Sequence, residues 1–347
     1  MNGRPTKSIL RVLDGEAVWP LPIWIMRQAG RYLPEYRATR AEAGSFLDLC
    51  YNPRLATEVT LQPIRLFGFD AAIMFSDILV IPHALGQEVR FAEGEGPRLD
   101  PVTSSADLTR LADELPLERL SPVFETLDRL KTALPAETTL LGFCGAPWTV
   151  ASYMIAGRGT PDQAPARLTA YRDPTFMTAL IDRLVEASTA YLVRQIDAGA
   201  EAVQIFESFG AALPPALFEP LSLDPIRRIV QGLKTARPQA RAIVFVRGGG
   251  QHLHKLASAG IGDGLALDWT LDPAALLRDL PQNVATQGNL DPLALIAGGE
   301  PMRNGVSRIL AAAQGRPHIF NLGHGILPET PPEHVAQLIA QVRGVEA

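Results

Sequence analysis

Short apolar runs return along the chain, and each stops abruptly at polar residues or glycine. The first, residues 22–26, gives way to Arg27-Gln28-Ala29-Gly30-Arg31. Residues 71–75 run into Ser76-Asp77, 140–143 into Cys144-Gly145-Ala146, and 203–206 into Glu207-Ser208. The beat continues with 242–246 before Arg247-Gly248-Gly249-Gly250, 264–268 before Trp269, 284–289, and 318–322 before Gly323-His324-Gly325. A continuous apolar run of this length reads as a strand covered on both faces.

Helical patterns separate most of these runs. Asn52-Pro53 marks a helix start, with Asn52 as N-cap and proline at the first position, and the pattern of Leu55, Val59, Ile64 and Leu66 stops at Gly68. Further helices are predicted over 106–134, 176–198, 225–233, 253–258, 303–313 and 333–342, with Asp272 capping one that runs through Leu277. Residues 87–101, with Gly94, Gly96 and Pro97, read as a hairpin or an excursion, and 157–165 as a loop. Strands alternating with helices imply a parallel sheet under helices. Eight such units predict a (β/α)8 TIM barrel of the α/β class, one domain over residues 1–347, a length that fold accommodates. A doubly wound sheet is the alternative.

Composition narrows the function. A formal net charge of −5 and no basic run argue against a nucleic-acid surface, so an anionic ligand would need a local arginine cluster. Two cysteines, Cys50 and Cys144, are too few for a disulfide framework or a thiolate zinc site. Residues 1–10 lack the apolar core of a secretory signal, and no run approaches a membrane span. A cytoplasmic protein is expected. His252 and His254, two residues apart, do not share a helix face, so no metal is expected there. The chain has neither a nucleophile elbow nor a phosphoryl-transfer signature.

A barrel carries its active site at the C-terminal strand ends. Arg27 and Arg31 bring two planar guanidiniums around a glycine, suited to carboxylate or phosphate. Asp77 stands inside an apolar segment and is expected to be partly buried and aimed into the site. His324 lies between two glycines that permit close approach. Asp268-Trp269 reads as a helix cap beside a core tryptophan, and the glycines after Arg247 as a flexible loop without a phosphate-binding spacing.

The stretch Pro22-Ile23-Trp24-Ile25-Met26-Arg27-Gln28-Ala29-Gly30-Arg31-Tyr32-Leu33-Pro34 closely resembles the first signature of the uroporphyrinogen decarboxylase family, and Gly142-Phe143-Cys144-Gly145-Ala146-Pro147-Trp148-Thr149 its second. Phe75-Ser76-Asp77-Ile78-Leu79, Gln204-Ile205-Phe206-Glu207-Ser208, Leu267-Asp268-Trp269-Thr270, Gln287-Gly288-Asn289-Leu290-Asp291-Pro292 and Asn321-Leu322-Gly323-His324-Gly325 also match, in order. The resemblance implies a homodimeric (β/α)8 barrel that decarboxylates the four acetates of uroporphyrinogen III to coproporphyrinogen III without metal or organic cofactor. It implies Asp77, Arg27 and Tyr153 as catalytic residues. It implies substrate contacts from Arg27, Gln28, Ala29, Gly30, Arg31, Asp77, Tyr153, Ser208 and His324, with Arg40 and Phe206 as further candidates. The fifth strand end departs from the family, which often has lysine there, and Arg247 is given no role. Two rivals are a zinc-dependent cobalamin- or folate-linked methyltransferase on a related barrel, for which the His/Cys set is missing, and a non-catalytic tetrapyrrole carrier.

Overall fold

The computed structural model describes residues 7–92 and 96–345. Residues 1–6 of the leading segment and Gly94 of the expected hairpin therefore lie outside the described residues. Nine strands are present among the described residues: β1 (Ala71–Ile73), β2 (Val89–Ala92), β3 (Gly96–Leu99), β4 (Thr139–Gly145), β5 (Ala202–Glu207), β6 (Arg241–Val246), β7 (Gly264–Ala266), β8 (Ala285–Leu290) and β9 (His318–Leu322). Seven form one curled sheet in the order β1-β4-β5-β6-β7-β8-β9, and every neighbouring pair is parallel. The other two, β2 and β3, pair antiparallel as the hairpin the polar 87–101 segment suggested.

All seven positions of β4 and all six of β8 are buried, as strands covered on both faces must be. The first apolar run is not a full strand. It contributes one parallel bridge, Ile23 to Phe320. Around that bridge the Phe320 N–H donates to Pro22 O (2.8 Å) and the Trp24 N–H to Phe320 O (3.3 Å), while on the other edge the Asp70 N–H donates to Ile23 O (2.9 Å). Trp24 is spent differently inside the sheet. Its indole N–H donates to Gln287 Oε1 (2.9 Å), Gln287 Nε2 donates to Gln204 Oε1 (3.1 Å), and Gln204 Nε2 lies 3.9 Å from Met26 Sδ. A buried amide requires such partners.

Most helix boundaries follow the local chemistry. Asn52 Oδ1 accepts from the Leu55 N–H, Pro53 opens the helix Pro53–Phe67, and Gly68 ends it at φ 64°. The long helix is Pro174–Asp197, capped by Asp173. The single helix expected over 106–134 is instead three pieces: Ser105–Leu108, a 3-10 turn at Leu117–Leu120, and Ser121–Ala133. Pro116 keeps the residue before it out of the helical region, and the true helix starts where Pro122 can sit in its first turn. No helix among the described residues is long and apolar enough to cross a membrane.

Candidate active site

The strand ends form a mouth, and three of the predicted groups meet electrostatically there. Asp77 lies just past β1, partly exposed. One carboxylate oxygen accepts the Leu79 N–H at 2.8 Å, and the other has no hydrogen-bond partner among the described residues. Burial raises its pKa, opposed by the Leu79 N–H and by the Arg27 charge. Arg27 feels Asp77 from beyond ion-pair distance, and no ion pair of Arg27 appears among the described residues. Tyr153, half-buried on the helix Pro147–Ala156, keeps its proton because burial raises its pKa, reinforced by Asp77 and countered by Arg27.

Arg27 itself occupies an unusual backbone position, φ 64°, rare for a side chain with a Cβ. The turn 27–30 is so tight that a Cβ at Gly30 would lie 2.8 Å from Arg27 O. The Arg27 side chain then crosses to the β9 end, where a Cβ at Gly325 would fall 2.8 Å from Arg27 Cγ. A Cβ at Gly323 would meet Trp269 Cα at 2.8 Å. The glycines flanking His324 therefore admit the protein's own chain, and His324 between them is partly buried. Its ring is 6.0 Å from Trp269 and 6.1 Å from Phe245. Burial, with Arg27 and Arg247 adding to it against Asp268, pushes its pKa down to about 4. At neutral pH it is an uncharged imidazole with one N–H to give.

Ser208 follows β5, partly buried, its hydroxyl without a hydrogen-bond partner among the described residues. Its N–H donates to Thr149 Oγ1 at 2.9 Å, and Thr149 Oγ1 in turn donates to the Glu207 carboxyl. The Phe209 N–H reaches Glu207 Oε1 at 3.2 Å, Trp148 Nε1 donates to Phe209 O at 3.2 Å, and the Phe209 ring stands 5.3 Å from Tyr153. This small network joins the Tyr153 helix to the Ser208 turn. Glu207 is fully buried and its pKa is pushed up to about 7, chiefly by desolvation against the Thr149 and Phe209 bonds. The sequence reading gave Glu207 no role. Its signal was a carboxylate prolonging an apolar run, the same one Asp77 carried.

Phe206 stands edge-on between Phe143 (5.8 Å) and Phe245 (6.1 Å), an aromatic arc from β4 to β6. Near the Arg31–Arg40 segment burial raises the Tyr36 pKa, with Arg40 and the exposed Arg31 opposing the rise and Asp77 adding to it. Arg40 lies 5.9 Å over Phe46 and donates to Gly44 O at 2.7 Å. Ala29 and Gly30 are half-buried in the turn. Gln28 is not brought to the mouth. It is fully buried; its amide donates to Ala71 O (3.1 Å), its carbonyl accepts the Ile25 N–H (3.2 Å), and its main-chain O takes the Tyr32 hydroxyl.

Two sequence expectations change. Asp268 caps no helix: its carboxylate holds the Gly248 and Thr270 N–H groups, and Asp272 is the cap of Pro273–Asp279. Trp269 is half-buried at the rim, not in the core. The glycines after Arg247 form a tight turn, since a Cβ at Gly249 would lie 2.9 Å from Val246 O and one at Gly248 3.1 Å from Ala211 Cα. Cys50 and Cys144 are buried, the Cys144 thiol pushed up to about 12 by desolvation. No three His, Cys, Asp or Glu side chains gather as a metal site among the described residues. A separate surface cavity of about 540 Å³, lined by Tyr51, His83, Gln87 and Arg119 among others, contains none of the predicted residues.

The family model described as Uroporphyrinogen decarboxylase (URO-D) matches residues 4–345. The chain is 56% identical over 340 residues to the uroporphyrinogen decarboxylase of Sinorhizobium fredii, covering 98% of both chains. It is 54% identical over 339 residues to that of Agrobacterium fabrum, again covering 98% of each. Among solved structures, a methyltransferase from Methanosarcina mazei superposes with a TM-score of 0.81 over 96% of this chain and 97% of that one. At 20% identity that likeness speaks for the fold alone.

Proposed function

The chain belongs to the uroporphyrinogen decarboxylase family, and from that premise we propose its reaction: removal of carbon dioxide from the four acetate side chains of uroporphyrinogen III, giving coproporphyrinogen III. It is a carboxy-lyase of porphyrin biosynthesis. The observation that carries the site assignment is Asp77, a desolvated carboxylate at the mouth with an open oxygen, beside Arg27 and Tyr153.

The chemistry needs a place for the electron pair left when the acetate C–C bond breaks. A pyrrole protonated at ring carbon accepts it, so the substrate supplies what a cofactor otherwise would. The electrons pass into the ring as carbon dioxide leaves, a proton added at the exocyclic carbon completes the methyl group, and loss of the ring-carbon proton restores the pyrrole. The protonated ring is cationic, and a fixed carboxylate stabilises it where charge develops. Asp77 takes that role and accepts pyrrole N–H bonds with its free oxygen. Arg27, Arg31 and Arg40 hold substrate carboxylates. Tyr153 and Ser208 donate hydroxyls, and neutral His324 donates one N–H. Phe206 and its neighbours offer an apolar wall to the macrocycle. Gln28 acts from beneath, bracing the Arg27 turn against β1.

The reading extends to the fold. The sheet closes as an eight-position (β/α)8 barrel through residues 22–24, a reading supported by their hydrogen bonds to Phe320 on one edge and Asp70 on the other. The chain forms one domain, supported by a hydrophobic core that continues from Ile9 to Val342. A homodimer in the cytoplasm, working without metal or organic cofactor, follows from the family resemblance; sedimentation, and turnover after chelation, test two of these points. The deciding experiment is anaerobic incubation with uroporphyrinogen, separating products by carboxylate number. Seven- to four-carboxylate products are expected; eight-carboxylate material alone overturns the reaction.

A further inference from the structure

Arg247, at the end of β6, has no part in the roles above, yet it is built like a ligand group. Its backbone is held from several sides. Its N–H donates to Glu207 O (2.9 Å), its carbonyl accepts the Ala211 N–H (3.0 Å), and the next N–H, of Gly248, donates to the Asp268 carboxylate. Its guanidinium lies 5.1 Å over the Trp269 ring. The side chain is exposed and has no hydrogen bond or ion pair among the described residues. Arg227, Arg228, Arg237 and Arg241, by contrast, all face carboxylates. A guanidinium held over an aromatic face loses rotamer freedom but keeps its N–H donors open.

The neighbourhood gives those donors an object. Trp269 also packs against His324, at 6.0 Å, and Arg27 reaches the same histidine from the Gly325 side. Arg27, Arg31 and Arg40 all come from the one short segment that follows residues 22–26. A ring with eight carboxylates presents charge all around its rim, and in a chain of net charge −5 the β6–β7 flank needs its own cation. We infer that Arg247, preorganised on Trp269, is a substrate-binding residue that grips a carboxylate of the macrocycle at the β6–β7 strand ends, one that the Arg27–Arg40 segment does not hold. This rests on the proposed reaction.

The test compares Arg247→Gln, Arg247→Lys and Trp269→Leu with wild type. The readouts are KM and kcat for the first decarboxylation of uroporphyrinogen, thermal melting, and direct binding of uroporphyrin by fluorescence. Losing a charge-assisted pair predicts about a tenfold rise in KM for Arg247→Gln, with kcat and melting temperature held, partial rescue in the lysine variant and an intermediate KM for Trp269→Leu. An unchanged KM for Arg247→Gln, or a fall confined to kcat, overturns the assignment. If the glutamine variant fails to fold, a raised KM in the lysine variant supports it and an unchanged one overturns it. If wild type releases no carbon dioxide, the proposed reaction fails, and uroporphyrin binding decides the carboxylate grip separately: weaker in Arg247→Gln supports it, equal overturns it.

Discussion

Two layers of the same strands, only a few residues apart, follow opposite rules. In the lower layer a connected set of polar side chains is spent within the protein: Trp24 on Gln287, Gln287 on Gln204, Gln28 on the backbone of Ala71 and Ile25. In the upper layer Arg27, Asp77, Ser208 and Arg247 keep donor or acceptor capacity that no described residue uses. Gln28 and Arg27 are consecutive and fall on different sides of this line. A buried polar group without a partner destabilises a fold, whereas one left open at a cleft is capacity for a ligand. Open donors and acceptors on side chains that are also partly exposed, as Asp77, Ser208, Arg27 and Arg247 are, therefore set the upper layer apart from the lower one.

The sharpest way to break the contrast is Asp77→Asn. The amide still accepts the Leu79 N–H, so melting should hold, while turnover falls by about 10²–10³-fold or more through loss of the carboxylate's field. Near-normal production of lower-carboxylate products would remove Asp77 from the chemistry. The mirror experiment is Gln287→Ala in the lower layer. It leaves Trp24 Nε1 and Gln204 Oε1 unpaired beside a cavity, and denaturant unfolding should show a loss of about 2–4 kcal/mol with KM unchanged. A selective KM effect there would mean the two layers are not separate.

Glu207 sits on the boundary and tests it by pH. Its carboxyl is raised from 4.5 to about 7 in the folded protein, so the folded state holds the extra proton between those values. That contribution to stability is complete below pH 4.5 and is lost as pH rises through 7. Glu207→Gln keeps an acceptor for Thr149 without the titration. Relative to wild type its unfolding free energy should improve by about 1–3 kcal/mol between pH 5 and pH 8; parallel pH profiles would show that Glu207 does not titrate there. The smallest effect belongs to Arg31→Ala. An exposed cation gives up about two- to fivefold in KM, with kcat kept, and an unaltered KM would take Arg31 off the substrate.

Seven beats of the pattern were legible as strands of the sheet because each is local, an apolar run ended by a polar residue or glycine, whereas the first run, residues 22–26, gives only the Ile23–Phe320 bridge. Asn52-Pro53 named its helix start for the same reason. The 106–134 region misled because its apolar spacing stays helical through a stretch that Pro116 breaks. The glycines after Arg247 read as freedom, and the structure uses them for close contact with Val246 and Ala211. Asp268 and Trp269 looked like a cap and a core residue because nothing nearby in sequence reveals that Gly248 and Arg247 come to meet them.

Sequence alone determined the order of the strands, the side chains standing at their ends, and, through motifs kept in order from Pro22 to Gly325, the family. Only the tertiary structure decided which of those side chains remain open. Pairing joins residues far apart in the chain, Trp24 with Gln287, Arg27 with Gly325, Arg247 with Trp269. Whether a polar group is spent or left for a ligand depends on that pairing, which no local pattern encodes.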